Sequence, residues 1–151
     1  MSLLLDNIRS AWNVGSILRS ANGFGYTHVD LCGITPTPEN ESVRKTSLGA
    51  EKSLTWSYHK DAVTYAAELK SKDWKIIALE KHERSIPLEQ ALRPSSTNST
   101  ILIVGNEISG VDPHLLDLCD EIYHIPMQGE KKSFNVAIAF GIAAYALKEL
   151  Y

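Results

Sequence analysis

The sequence predicts an α/β fold: a mostly parallel six-stranded sheet flanked by helices. Short apolar, β-branched runs alternate with stretches of helical period, the pattern of strands joined by crossover helices. With 151 residues, 44% hydrophobic and 22% charged, the chain suits one compact core and has no tract of disordered composition. It is read as a single domain, residues 1–151.

The first strand is expected at Leu3 to Leu5. A helix follows, because Val14, Ile17, Leu18, Ala21 and Phe24 recur at helical spacing. Asn13 suits its N-cap, and Gly23 and Gly25 suit its end. Further strands are expected at His28 to Cys32, Ser53 to Tyr58, Lys75 to Leu79, Thr100 to Val104 and Glu121 to Ile125. A second helix runs from Asp61 to Ser71 with Ala62, Tyr65, Ala66 and Leu69 on one face. Asp112-Pro113 opens another, N-cap followed by the proline that a first helical position tolerates. Thr35 to Ala50 and Glu83 to Ser99 read as irregular connections with short helical turns.

The last helix, Asn135 to Leu150, is apolar almost all round. A solvent-facing helix carries a polar stripe, so this one is expected to be covered on more than one side, by its own sheet and by a partner subunit. At about 24 Å it is too short and too lysine-flanked for a membrane span.

The N-terminus, three leucines and then Asp6, is neither a signal peptide nor an anchor, so a cytoplasmic protein is expected. Cys32 and Cys119 have apolar neighbours and read as buried free thiols. The five histidines show no ligand spacing, so no metal is expected. A net charge of −3 argues against nucleic acid unless the cations gather on one face. Arg9, Arg19, Arg44, Lys45, Lys52, Lys131 and Lys132 do fall near polar loops.

Open parallel sheets bind ligands beyond the C-terminal ends of their strands. Three loops there are unusually polar: Asp6 to Asn13, Gly105 to Gly110, and Gln128 to Asn135. The first places Asn13 and Arg19 on the polar side of the first helix, a clamp for phosphate or ribose, or simply an N-cap and a solvated arginine. The second puts Glu107 just past a buried strand but lacks the Lys-Ser/Thr of a nucleotide-triphosphate loop. The third leads into Asn135, a suitable N-cap. No G-x-G-x-x-G follows the first strand, which disfavours a dinucleotide-binding oxidoreductase.

In order, these loops read Asn13-Val-Gly-Ser-Ile-Leu-Arg19, Ile103-Val-Gly105-Asn-Glu107 with Gly110-Val, and Ile125-Pro-Met127 with Ser133-Phe-Asn135-Val. The set resembles the three motifs of the SpoU (TrmH-like) RNA methyltransferases of the SPOUT class. Phe134 stands where that family usually has leucine. The resemblance covers the whole chain and implies a deep trefoil knot from about Leu79 onward, a homodimer formed through helices that include the last one, and transfer of a methyl group from S-adenosylmethionine to an RNA ribose 2′-hydroxyl, in tRNA before rRNA. It implies cofactor contacts at Leu79, Gly105, Ile125, Met127 and Phe134, and a ribose-facing catalytic group of Asn13, Arg19, Glu107, Ser133 and Asn135. RNA would rest on Arg9, Arg19, Arg44, Lys45, Lys131 and Lys132. A knotted RNA-binding protein without catalysis is the rival reading.

Overall fold

The computed structural model describes residues 1–91 and 99–148. Strands β1 (Ser2–Asp6), β2 (His28–Cys32), β3 (Thr55–His59), β4 (Lys75–Leu79), β5 (Ile86–Pro87), β6 (Thr100–Val104) and β7 (Glu121–His124) form one sheet, ordered β3-β2-β1-β6-β4-β7-β5. Every pairing between these strands is parallel. Seven strands replace the expected six. The added β5 is two residues long and lies inside the segment read as irregular, too short to show any period of its own.

The helices are α1 (Ala11–Gly23), α2 (Glu41–Ser47), α3 (Ala62–Ser71), α4 (Pro113–Leu118) and α5 (Val136–Leu147). They cover both sheet faces, as a doubly covered parallel sheet requires. Alternation along β1 divides the core accordingly. Leu3 and Leu5 join the cluster under α1 and α5, with Ile17, Leu31, Phe140 and Leu147. Leu4 joins the cluster under α3 and α4, with Ala66, Ile76, Ile103 and Leu115.

Helix α1 starts earlier than expected. Ser10 is its N-cap, its hydroxyl accepting from Asn13 N–H at 3.3 Å, so Asn13 sits inside the first turn. Asp112 and Asn135 cap their helices as the sequence predicts, and Asp61, read as the start of the second helix, is its N-cap. Both cysteines are free and buried. A buried charge interrupts the α3 face at Asp30, whose carboxylate bonds His59 at 2.8 Å and His28 at 3.1 Å. These partners supply what burial of a carboxylate demands.

Helix α5 buries Val136, Phe140, Ala143, Ala144 and Leu147 but leaves Ile138, Ile142 and Tyr145 open. The residues expected to continue it to Leu150 lie outside the described range. Among the described residues no helix is long and apolar enough to cross a membrane.

Candidate functional site

Parallel strands end together, so β4, β6 and β7 deliver their following loops to one edge of the sheet. There Leu79, Gly105, Ile125, Met127 and Phe134 all line one cavity of about 260 Å³. Glu107, Lys132 and Ser133 line it too. An apolar wall with a few convergent polar groups is the usual makeup of a small-ligand pocket.

Beside this cavity the three polar loops are tied by side chains distant in sequence. Glu107 accepts from the N–H groups of Arg9 at 2.9 Å and Ser10 at 3.0 Å, and from the Asn13 side-chain amide at 3.0 Å. Asn13 Oδ1 in turn accepts from Asn135 Nδ2 at 3.1 Å. Asn135 also caps α5, its oxygen accepting from Ala137 N–H at 2.9 Å. A continuous chain Glu107–Asn13–Asn135 therefore joins the starts of α1 and α5 to the loop after β6.

Helix α1 has no acidic residue in its own first turn. Glu107 supplies that charge from across the sheet, next to the positive helix end. Desolvation pushes its pKa up, but the Arg9 N–H, the Asn13 amide and the Ser10 N–H outweigh that and hold it below the ordinary carboxylate value.

Arg19 is not part of this chain of contacts. Six residues beyond Asn13, it lies about 9 Å along the helix and about 240° around it. It is exposed and makes no hydrogen bond or ion pair among the described residues. Of the expected RNA contacts, Arg9, Lys131 and Lys132 are exposed as well. Arg44 and Lys45 are already engaged. Arg44 donates to the carbonyls of Pro38 and Glu39, and Lys45 pairs with Glu41 at 2.9 Å.

The sequence reading missed Asn106 and Glu80. Asn106 donates to Asn7 O at 2.6 Å and accepts from the N–H groups of Ile108 and Ser109, which shapes the loop that presents Glu107. Glu80 lines the cavity directly after β4. The signal that singled out Glu107, a carboxylate immediately past a buried strand, applies to Glu80 equally.

Residues 1–145 match the SpoU rRNA Methylase family. The chain belongs to that family. It is 32% identical over 143 residues to the 23S rRNA (guanosine-2′-O-)-methyltransferase RlmB of Xylella fastidiosa, covering 95% of this chain and 56% of that protein. It is 28% identical to the tRNA (guanosine(18)-2′-O)-methyltransferase of Aquifex aeolicus, covering 93% of this chain and 64% of that protein. The solved structure of a TrmH-family RNA methyltransferase from Porphyromonas gingivalis superposes with a TM-score of 0.86 at 29% identity, over 96% of this chain and 57% of that one. The chain thus spans somewhat more than half the length of these SpoU relatives.

Proposed function

We propose that this chain transfers a methyl group from S-adenosylmethionine to a ribose 2′-hydroxyl of structured RNA. The observation that carries the reading is the Glu107–Asn13–Asn135 chain, in which the three family motifs meet beside the cavity. Methyltransferases of this family use S-adenosylmethionine, and the pocket suits it: Leu79, Ile125, Met127 and Phe134 offer an apolar wall, with polar backbone at Gly105. When bound, the donor supplies an electrophilic methyl whose leaving group is a neutral thioether. The protein's task is then mainly positioning.

In this reading Glu107 fixes Asn13, and Asn13, Ser133 and Asn135 present polar groups to the incoming ribose. Arg19 holds a neighbouring phosphate and stabilises the developing alkoxide. It is not the base, since a guanidinium carries donors only and no acceptor to take the proton. The proton leaves late, to water or a phosphate oxygen. Arg19→Lys tests the assignment: near-normal turnover with weaker RNA binding alone removes the alkoxide role.

The exposed apolar face of α5, with Trp12 on neighbouring α1, supports a homodimer. Arg19 shares the Trp12 stripe of α1, two turns on, so dimerisation decides which cavity it serves. A trefoil knot from about Leu79 onward is supported by the insertion of β7 between β4 and β5, after which the chain returns to pack α5 against β4 and the turn Leu88–Gln90. Arg9, Arg19, Lys131 and Lys132 are the cations proposed to meet RNA. tRNA is the first substrate to try, with rRNA beside it, since relatives named for each match this chain. The deciding assay is transfer of tritium from labelled donor to total tRNA and to rRNA, with Asn13→Ala as control. No transfer to either overturns the proposal.

A further inference from the structure

Glu80 stands at the C-terminal end of β4, the strand flanked by β6 and β7, and lines the cavity. Its carboxylate is fixed: Oε2 accepts from Val111 N–H at 3.0 Å and Oε1 from Lys81 N–H at 2.8 Å. The loop that donates is shaped around it. Gly110 has φ +74°, and a Cβ there would stand 2.4 Å from Glu80 Oε2. Only glycine combines that backbone with room for the carboxylate.

Glu80 is half-buried and forms no ion pair among the described residues, although Lys81 and Lys132 line the same cavity. Its neighbour Glu107 is differently placed, turned toward α1 and saturated by three donors. A carboxylate held at the wall of a recess by backbone N–H groups, with no cation paired to it among the described residues, attracts positive charge more strongly than it would in bulk water. Methyl transfer changes the ligand by one unit of charge: a sulfonium becomes a neutral thioether.

We propose that Glu80 is the counter-ion that makes this cavity prefer the cationic methyl donor to the neutral thioether it becomes. The inference rests on the donor assignment above and adds a discriminating role for one residue. Discrimination of this kind speeds product release, because the site's attraction drops when the methyl leaves.

Titration calorimetry with S-adenosylmethionine and S-adenosylhomocysteine tests it on the whole chain. Glu80→Gln, which keeps an acceptor for Val111 N–H, is expected to weaken the donor about tenfold and the thioether less than twofold, the scale of one charge-assisted contact. Equal weakening of both overturns the proposal, since it places the contact on groups the two ligands share. No weakening of either overturns it too. If Glu80→Gln does not fold, wild-type protein still answers: the preference for the donor should shrink as salt screens the charge, and a salt-independent preference sinks the idea. Wild-type protein that binds neither ligand removes the donor assignment itself, a result distinct from lost discrimination.

Discussion

At the scale of single residues, Glu107 shows two opposing effects and which of them wins. Burial favours its neutral form, whereas two backbone N–H groups and the Asn13 amide favour the charged one, and the pKa falls below the ordinary value. A carboxyl whose folded pKa is depressed stabilises the fold above the unfolded value of about 4.3, and that contribution is lost as pH falls through the lower folded value. Glu107→Gln should therefore flatten the acid limb of a pH–stability curve measured by denaturant titration. Asp6 works in the other direction. Burial is its largest influence and raises its pKa, ahead of the Asp112 N–H that lowers it, so its contribution is present below the unfolded value and lost as pH rises through the folded one. The same Glu107 substitution should lower methyl transfer by about a hundredfold, the usual loss when a positioning or oxyanion-type group is removed, while donor binding measured by calorimetry changes little. Asn13→Ala should share that loss rather than add to it, because the two residues form one chain of hydrogen bonds.

Among the elements, α1 and α2 meet closely at Gly15. A Cβ on Gly15 would stand 2.2 Å from Val43 O and 1.9 Å from Thr46 Oγ1. Thr46 also donates to Trp12 O at 3.0 Å, across the same contact. Alanine is intrinsically better than glycine inside a helix by about 1 kcal/mol. Here the obstruction is partly backbone and cannot swing aside, so overpacking of roughly 1–3 kcal/mol prevails. Gly15→Ala is expected to lower the denaturation midpoint, and an unchanged or higher midpoint would show that the helices can separate freely. At the sheet's edge, β5 is two residues long and one of them is Pro87, which cannot donate to a further strand.

For the molecule as a whole, the decisive feature is the open side of α5. Ile138 is 56% exposed and Tyr145 63% exposed, on a helix with no charged residue between Val136 and Leu147. Water is a poor neighbour for such a face, and a second copy of the chain is the occupant proposed above. Ile138→Asp should shift the sedimenting species from dimer to monomer without loss of helical circular dichroism. A wild-type monomer at micromolar concentration would remove the dimer reading. Donor binding also has a global readout: at a hundredfold excess over Kd a ligand selective for the folded state adds about 2.7 kcal/mol, or roughly 5–11 °C in melting temperature.

Sequence alone determined the layering of this protein. The alternation of β-branched runs and helical periods marks the six longer strands to within two residues at each end, and Asp61, Asp112 and Asn135 announce their helices because capping is a local matter of one side chain and the next turn. Glu107, Asn13 and Asn135 were legible as candidates for the same reason, each being a polar residue at an element's end. Tertiary structure alone decided that these three bond to one another across the sheet, that Ser10 rather than Asn13 caps α1, that Arg44 is committed to its own loop, and that Glu80 lines the pocket with no ion pair among the described residues. Those facts depend on where β6 and β4 lie beside β1 and β7. Strand order is set by the summed packing of the whole core, and no local pattern encodes it.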